Sequence, residues 1–428
     1  MDISKIKKSL ENCPCGQKHD APLRRVEIGH GLTSETGKIL KEEGFGRRLL
    51  LVADKNTLKS SPGIRESLEN AGFELKMLIY PDMKYARAEN TVEIESLLGD
   101  VDGIISVGSG SLNDICRVPA ARLAMPFCIF ATAPSMDGFA SGTSPILRNN
   151  YKETWQAEQP LVIIGDTAIL AKAPVELKAA GLGDMIAKYI AICDWKISSL
   201  LTGEIFCENI VRLTLDAVNR CVELADLIPT ENEEAAGAVM EALVISGLAM
   251  RFAGCSRPAS GAEHMISHYL EDYKCLRGIW PEYHGKKVGV ATLIAARIYR
   301  DIAENVPSVD ATDDPFDKEK LLARFDPQFR DDIAKLNEGP ITDIVSPEII
   351  KEKWPLVREA VMKYVPDPDF LEARLRAAGG AVSIGDVHVH EELMYNALEL
   401  HSYMRHRIFL TRLLPMCGLA DYRKYGLK

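Results

Sequence analysis

The sequence predicts an N-terminal α/β domain followed by an all-α domain, and three observations carry this prediction. The chain has 428 residues, too many for one ordinary core, so two domains are expected. Short apolar runs alternate with helical patterns from about residue 24 to 165, which is typical of a mostly parallel sheet covered by helices. After about residue 170 the pattern is helical. The predicted divisions are an N-terminal extension over residues 1–24, an α/β domain over 25–170 and a helical domain over 171–428.

The predicted elements follow from these patterns in chain order. The apolar run 48–54 is predicted to be a buried strand, and 74–80, 103–107 and 126–131 are predicted to be further strands. Ligands are expected at the carboxyl ends of these strands. In the second half, helices are predicted over 204–227, 234–251 and 288–303, with another carrying 264–270 and more beyond 318. Four histidines of the C-terminal region are expected to be structural, on a charged and solvated segment: His388, His390, His401 and His406.

Composition excludes several classes of protein. The chain is 46% hydrophobic and 26% charged, as in an ordinary globular protein. Its net charge of −10 argues against binding to nucleic acid, which needs a basic surface. The sequence has no run of about 18 apolar residues, so no membrane span is expected. The first residues of the sequence also lack the apolar segment of a signal peptide, so no secretory signal is expected. Most of the ten cysteines fall in apolar or helical stretches, which favours free thiols and a cytoplasmic location.

A glycine-rich turn follows the predicted strand 103–107 and opens a helix. Its residues are Gly108, Ser109, Gly110, Ser111 and Leu112. Glycine allows close approach of a phosphate, and the amides at a helix N-terminus supply donors. The turn is not Gly-x-Gly-x-x-Gly, so a plain strand-to-helix turn stays an equal alternative.

Two further segments are candidates for the same ligand. Asp54 ends a predicted strand, where a carboxylate can accept hydrogen bonds from the ribose hydroxyls of a dinucleotide and would favour NAD over NADP. An ordinary helix N-cap is the alternative for Asp54. A small, polar loop follows the strand 126–131 and could lie against a nicotinamide, or could be a simple surface loop. Its candidate residues are Thr132, Ala133, Pro134, Ser135, Asp137 and Ser141.

Asp184, His264 and His284 predict a divalent-metal site. One carboxylate and two imidazoles make a three-ligand site that leaves a coordination position open for a substrate oxygen. His268 lies four residues after His264, on the same helix face, where it can contact substrate while His264 binds metal. Metal and nucleotide together indicate redox chemistry on an alcohol or ketone. Cys13, Cys15 and His19 could form another small metal or redox motif, but a polar, partly mobile extension is favoured because no second cysteine pair completes a zinc site.

These segments together resemble the glycerol-1-phosphate dehydrogenase family, including its bacterial AraM-like branch, within the superfamily of metal-dependent polyol dehydrogenases and dehydroquinate synthases. The resemblance runs from about residue 25 to the end and rests on the segments 107–114, 132–141, 180–188, 260–268 and 284–289. It implies a dehydroquinate synthase-like fold with the active site in the cleft between an N-terminal nucleotide domain and a helical domain. Ser109 stands where many relatives have glycine, so phosphate approach is expected to be less close.

The resemblance also implies ligands and roles. Asp184, His264 and His284 would bind zinc or nickel, and Asp137, Asp184 and His268 would contact a small phosphate substrate. Asp54, the turn 108–112, Thr132 to Ser135 and Ser141 would hold NAD(P). The implied reaction is the reversible reduction of dihydroxyacetone phosphate to sn-glycerol 1-phosphate, by a homodimer or larger homo-oligomer. An NAD-dependent glycerol or polyol dehydrogenase and a dehydroquinate synthase-like sugar-phosphate cyclase are the alternative functions.

Overall fold

A computed structural model describes residues 1–426 of the chain. Its main sheet has six parallel strands in the order β1–β8–β5–β4–β2–β3, and β6 and β7 form a separate antiparallel hairpin. The strands are β1 (Arg25–Gly29), β2 (Arg48–Asp54), β3 (Glu74–Tyr80), β4 (Gly103–Gly108), β5 (Phe127–Ala131), β6 (Thr143–Arg148), β7 (Tyr151–Gln156) and β8 (Val162–Asp166). All four strands predicted from the sequence are present, within one residue of their predicted bounds.

Strand β2 shows why the central strands are continuously apolar. Leu49 and Leu51 point into a core between the sheet and the helices on one face, whereas Leu50 and Val52 belong to the larger core that continues into the helical half. Successive side chains of a strand point to opposite faces, so a strand covered on both faces must be apolar at every position. Because the strands are parallel, their carboxyl ends meet along one edge of the sheet.

The helices cover the sheet and form the entire second half of the described chain. They are α1 (Ile3–Ser9), α2 (Leu32–Glu42), α3 (Lys55–Ser60), α4 (Ile64–Asn70), α5 (Ala88–Ser96), α6 (Gly110–Arg122), α7 (Thr167–Leu170), α8 (Val175–Thr202), α9 (Glu208–Glu223), α10 (Glu233–Ala253), α11 (Ala262–Leu276), α12 (His284–Asn305), α13 (Lys318–Arg324), α14 (Arg330–Leu336), α15 (Pro347–Tyr364), α16 (Pro368–Ala377), α17 (Glu391–Leu400) and α18 (Leu410–Leu413). The predicted fold class, α/β followed by all-α, is confirmed.

Two long helices of the second half are mostly buried, and one of them, α10, confirms the helix predicted over 234–251. Helix α8 was not assigned from the sequence, because 21 of its 28 residues are buried and it lacks the polar stripe that marks an amphipathic helix. Helix α10 is long and apolar enough to cross a membrane by composition, but 67% of its most apolar window is buried inside the protein, as expected of a core helix.

The N-terminal extension is packed, in contrast to the partly mobile segment that was expected. Ile3, Leu10 and Leu23 are buried in the main core. The ammonium group of Lys7 donates a hydrogen bond to the carbonyl oxygen of Leu23 at 3.2 Å, which ties α1 to the segment that leads into β1. The apolar positions of the extension therefore have a partner surface on the folded chain.

His401 corrects the expectation of a solvated C-terminal segment. Its side chain is fully buried. Its Nε2 lies 2.8 Å from the hydroxyl of Thr411, and its Nδ1 lies 2.9 Å from the carbonyl oxygen of Leu398. Burial lowers the pKa of His401 to about 4, so the ring is neutral at neutral pH. Its role is structural, as expected, but inside the core.

Candidate active site

Glycines bring α8 and α12 into close contact at the candidate metal site. A β-carbon added to Gly183 would collide with the carbonyl oxygen of Gly285, and one added to Gly285 would collide with that of Ala180. Asp184 directly follows Gly183 on α8, and His284 directly precedes Gly285 at the start of α12. The two glycines therefore allow the backbones to approach until the carboxylate of Asp184 and the ring of His284 reach the same point.

Asp184, His264 and His284 meet as the sequence predicts. One ligand atom from each lies within 4.8 Å of the others, although the three residues come from three different helices. The distance from His264 Nε2 to Asp184 Oδ1 is 3.5 Å, and the ring centroids of His264 and His284 are 5.3 Å apart. One carboxylate oxygen and two imidazoles converging in this way are a suitable donor set for a divalent metal with an open coordination position.

Glu263 contacts the ring nitrogen of His264 that does not face Asp184. Its Oε1 lies 2.7 Å from His264 Nδ1 and also accepts the backbone N–H of Gly261 at 2.9 Å. With Nδ1 engaged, Nε2 of His264 faces Asp184. Carboxylate–histidine pairs of this kind fix the tautomer and the ring orientation of metal-binding histidines.

The electrostatics of these groups also suit a cation. Burial alone would lower the pKa of His264, but the hydrogen bonds with Asp184 and Glu263 outweigh it and raise that pKa to about 9. Burial would raise the pKa of Asp184, but the ammonium group of Lys188 and the two imidazoles hold it well below its usual range. The two carboxylates that stabilise positive charge on His264 would equally stabilise a metal ion at Nε2. The residues present therefore fit a divalent metal.

Lys188 links the two aspartates that the sequence singles out. It is fully buried, with Nζ 2.7 Å from Asp137 Oδ2 and 2.9 Å from Asp184 Oδ1. Ser246 donates a hydrogen bond to Asp137 Oδ2 at 2.8 Å, and the amide of Asp137 donates one to Asp184 Oδ2 at 2.8 Å. Lys188 was not among the candidate residues, although its position four residues after Asp184 on one helix face was a signal for it. Asp137 and Asp184 are thus held in place by one buried cation.

A second cluster contains His268 and two lysines. The carboxylate of Glu271 lies 3.7 Å from His268 Nδ1, 2.6 Å from Lys152 Nζ and 3.7 Å from Lys287 Nζ. The ring centroid of His268 is 5.6 Å from that of His284, so this cluster adjoins the metal donors. Burial lowers the pKa of His268 to about 4 and that of Lys287 to about 8. Asp272 also adjoins this cluster, but burial and the charge of Glu271 raise its pKa to about 8, so it is largely neutral at neutral pH. The two lysines and Glu271 therefore leave net positive charge beside the three histidines.

Four cations lie near the histidine motifs in sequence, but the structure brings only one of them into this cluster. Arg257 is buried in an ion pair with Glu204, and Lys286 pairs with Glu176. Arg251 is exposed at the side of the cleft. Lys287 belongs to the cluster, and its partner there is Lys152, which sequence reasoning missed because the hairpin β6–β7 was not predicted.

Asp54 lies at the carboxyl end of β2, where a ribose-binding carboxylate was predicted. Its Oδ1 accepts the amides of Asn56 and Thr57, both at 2.8 Å, and its Oδ2 accepts that of Met83 at 3.3 Å. Asp54 is therefore an N-cap of α3, as the alternative stated, and it also lines the cleft. The two roles are compatible, because each carboxylate oxygen has two lone pairs.

The turn 108–112 joins β4 to α6. A β-carbon on Gly108 would collide with the side chain of Leu112, so packing of the helix on the strand explains this glycine. A β-carbon on Gly110 would meet only Met136, at 3.6 Å, so this position is more open. Ser109 Oγ lies 2.6 Å from Ser135 Oγ, which connects the turn to the loop after β5. The first amides of α6 have no acceptor within the helix and suit an anion.

One cleft of about 2640 Å³ contains most of the predicted site. The predicted residues that line it are Asp54, Ser109, Gly110, Ser111, Leu112, Thr132, Ala133, Ser135, Asp137, Ser141, His264, His268 and His284. Gly108, Pro134 and Asp184 lie beneath its surface, and Asp184 has no exposed side chain. Asp184 therefore does not belong to the surface that a molecule bound in the cleft would contact directly.

The chain is similar in sequence to known dehydrogenases. The family model described as iron-containing alcohol dehydrogenase matches residues 27–174. A glycerol-1-phosphate dehydrogenase (NAD(P)+) of Bacillus velezensis is 31% identical over 388 residues, which cover 89% of this chain and 88% of that protein. A protein of the same name from Methanosarcina barkeri is 36% identical over 273 residues, which cover 63% of this chain and 75% of the relative.

Solved structures share the fold at low sequence identity. Sulfoacetaldehyde reductase from Bifidobacterium kashiwanohense, in complex with NAD+, gives a TM-score of 0.60 at 16% identity and covers 95% of this chain and 99% of that one. A probable glycerol dehydrogenase from Sinorhizobium meliloti gives 0.60 at 14% identity, with 94% and 98% covered. These structures support the predicted fold.

Proposed function

The chain belongs to the glycerol-1-phosphate dehydrogenase family, and from this membership we propose that it reduces dihydroxyacetone phosphate reversibly to sn-glycerol 1-phosphate with NAD(P)H. The observation that supports the substrate most directly is the position of Lys152, which lines the cleft beside the histidines of the metal site. A phosphate group attached to a reacting carbonyl compound would need a cation there. Lys287 is buried behind the cleft surface, where its Nζ donates a hydrogen bond to the carbonyl oxygen of Glu282 at 2.8 Å, and it adds positive charge without lining the cleft.

The reaction needs a metal and a nucleotide, and each residue group has a proposed part. A divalent metal, zinc or nickel, held by Asp184, His264 and His284 would polarise the C2 carbonyl oxygen, while NAD(P)H supplies the hydride. Lys188 keeps Asp184 ionised and positioned. Glu263 holds the ring of His264. These contacts orient the site before substrate arrives, which lowers the cost of reaching the transition state.

His268 is the group proposed to handle the proton that the substrate oxygen gains. Its ring is neutral at neutral pH, because burial lowers its pKa to about 4. A neutral imidazole has one N–H donor and one acceptor nitrogen, so it can pass a proton between a hydroxyl and water. Asp137, which lines the cleft and is held by Lys188 and Ser246, is also proposed to contact the substrate.

The nucleotide is proposed to lie along the carboxyl edge of the sheet. Asp54 would accept the ribose hydroxyls, and the first amides of α6, in the turn 108–112, would bind the pyrophosphate. The loop Thr132 to Ser135 and Ser141 would contact the nicotinamide half. Residues 25–170 would then form the nucleotide-binding unit, residues 171–428 the metal- and substrate-binding unit, and residues 1–24 an extension.

We propose further that the protein works in the cytoplasm as a homodimer or larger homo-oligomer. The free thiols of all ten cysteines support a reducing compartment. The oligomeric state rests on the family resemblance.

Comparing phosphorylated with unphosphorylated substrate tests the proposal. We expect NADH oxidation with dihydroxyacetone phosphate to be at least a hundredfold more efficient, in kcat/KM, than oxidation with dihydroxyacetone, because the phosphate adds an anionic partner for Lys152 that dihydroxyacetone lacks. Equal efficiency, or a preference for glycerol and NAD+, would favour a polyol dehydrogenase. Conversion of a sugar phosphate without net consumption of NADH would favour a cyclase.

A further inference from the structure

A group of four metal-binding side chains lies where the N-terminal extension meets the helical half. Cys13, Cys15 and His19 come from the extension, and Cys207 is the N-cap of α9. One ligand atom from each lies within 4.8 Å of all the others. Cys13 Sγ is 3.5 Å from Cys207 Sγ, Cys15 Sγ is 3.2 Å from His19 Nε2, and Cys207 Sγ is 3.7 Å from His19 Nε2.

These separations are close to the edges of a tetrahedron around zinc. With Zn–S of about 2.3 Å and Zn–N of about 2.0–2.1 Å, tetrahedral angles place two sulfurs about 3.8 Å apart and a sulfur and a nitrogen about 3.6 Å apart. The three separations between Cys13, Cys15, His19 and Cys207 lie within a few tenths of an ångström of these values. The other three separations among the four ligand atoms are no more than 4.8 Å, so side-chain shifts of about 1 Å would seat the ion.

The surroundings of the four side chains prepare them for a cation. His19 Nδ1 lies 2.7 Å from the carbonyl oxygen of Phe252, which fixes the tautomer and leaves Nε2 directed at the sulfurs. The side-chain amide of Asn209 donates a hydrogen bond to Cys13 Sγ at 3.2 Å, which stabilises a thiolate. Cys207 is the N-cap of a 16-residue helix, where the helix dipole favours a thiolate, but burial outweighs this effect and raises the pKa of Cys207 to about 12. Binding of a metal ion would have to displace the proton of this thiol.

We propose that Cys13, Cys15, His19 and Cys207 bind a structural zinc ion, in addition to the metal of the active site. Four protein ligands close the coordination sphere, so the ion would have no position for substrate and its role would be structural. The proposal is independent of the proposed function, because it uses none of the active-site residues. The sequence analysis found no second cysteine pair to complete the motif, whereas the structure places the single Cys207, from a distant part of the sequence, beside it.

The location of the site indicates what the zinc ion would hold together. It joins the extension to the start of α9, and through His19 and Phe252 it reaches the end of α10. Met250 and Gly254, on either side of Phe252, line the active-site cleft. Zinc at this site would therefore brace one wall of the cleft as well as the N-terminal extension.

Cobalt substitution tests the proposal on the full-length protein. The predicted active-site ligands are one carboxylate and two imidazoles, so sulfur-to-cobalt charge transfer in the near ultraviolet can arise only from a thiolate site. We expect protein refilled with Co²⁺ to show this absorption, and protein purified with zinc to contain about two metal ions per chain. Cys15→Ser and Cys207→Ser should each remove the absorption and about one metal ion. Cys417→Ser, outside the cluster, should change neither.

Two results would overturn the proposal. One is wild-type protein that shows no sulfur-to-cobalt absorption and holds about one metal ion per chain, a measurement that does not depend on any variant folding. The other is a Cys13–Cys207 disulfide in the unreduced wild-type protein, found by mass spectrometry. His264→Ala is the converse control and should lose about one metal ion while keeping the thiolate absorption. If the active-site assignment alone were wrong, His264→Ala would retain its metal, and the Cys207→Ser result would still stand.

Discussion

Replacing Glu263 tests how the candidate site holds its metal. The Glu263 side chain is fully buried, and its Oε1 contacts both His264 Nδ1 at 2.7 Å and the amide of Gly261 at 2.9 Å. Glu263→Gln preserves the shape and an acceptor oxygen but removes the negative charge. Glu263→Ala removes the acceptor as well, so the ring of His264 loses the contact that directs Nε2 toward Asp184.

The expected loss follows from the role of such groups. Carboxylates that orient metal-binding histidines contribute about 10–100-fold to metal affinity. Glu263→Gln keeps the hydrogen bond and should fall at the lower end, about tenfold or about 1.4 kcal/mol. Glu263→Ala should approach a hundredfold, about 2.7 kcal/mol.

The assay measures the return of NADH oxidation as free zinc is raised in a chelator buffer, which reports only the metal needed for turnover. The half-saturating zinc concentration should rise in the order wild type, Glu263→Gln, Glu263→Ala. Glu304→Gln is a matched control, because Glu304 is exposed on α12, the helix that carries His284. A Glu263→Ala variant that saturates at the wild-type zinc concentration would refute the role assigned to Glu263.

Three other perturbations have expected outcomes. Lys152→Met should raise KM for dihydroxyacetone phosphate at least tenfold, because a cation beside the reacting group is lost. Turnover of dihydroxyacetone should change much less. Both are measured by NADH oxidation. Gly285→Ala forces a methyl group against the carbonyl oxygen of Ala180. Overpacking of this kind costs about 1–3 kcal/mol, so the free energy of unfolding measured in urea should fall. The active-site metal should be lost as well, because α8 and α12 are pushed apart. Lowering the pH should destabilise the fold through His401. The pKa of His401 is about 4 in the folded protein and about 6.5 in the unfolded chain, so between these values the unfolded chain binds a proton that the folded protein does not. The free energy of unfolding therefore falls as the pH drops from about 6.5 to about 4. Wild type should therefore lose about 2 kcal/mol from this group between pH 7 and pH 5, and His401→Gln should not show that part of the loss.

Each of these outcomes has a control and a contrary result. Lys286→Met should keep the wild-type KM, because Lys286 pairs with Glu176 away from the cluster, and an equal rise in both lysine variants would remove the case for a phosphate site at Lys152. A Gly285→Ala variant with wild-type metal content would show that the helix contact does not set the site. Identical pH dependence of unfolding in wild type and His401→Gln would show that His401 does not titrate in this window.

The sequence was informative where local pattern and structure coincide. Strands β2, β4 and β5 were predictable because both faces of the sheet are covered there and nearly every position is apolar, whereas β3 is a half-buried edge strand that carries Glu74 and Lys76. Asp184, His264 and His284 were predictable as a set because their residue types match one chemistry. Their roles stay predictions, but the structure places their donor atoms within 4.8 Å of one another.

The parts that sequence reasoning missed depend on contacts between distant segments. Lys152 reaches Glu271 from a hairpin, and Cys207 reaches the Cys13 motif from the start of α9; neither sequence neighbourhood carries a signal for its partner. His401 lies in a segment with the charge of a surface, and only the packed fold buries it. The close approach of α8 and α12 explains why Gly183 and Gly285 stand next to Asp184 and His284. In the sequence these glycines belong to motifs, but only the structure gives the physical reason for them.

The most direct test of the central claim is turnover of dihydroxyacetone phosphate by protein stripped of metal and refilled separately with zinc and with nickel. We predict that NADH oxidation is lost on stripping and returns with at least one of the two metals, that the product is sn-glycerol 1-phosphate rather than the sn-3 isomer, and that His264→Ala stays inactive after refilling. Full activity of the stripped protein, or of refilled His264→Ala, would contradict the assignment of Asp184, His264 and His284 as the ligands of a catalytic metal.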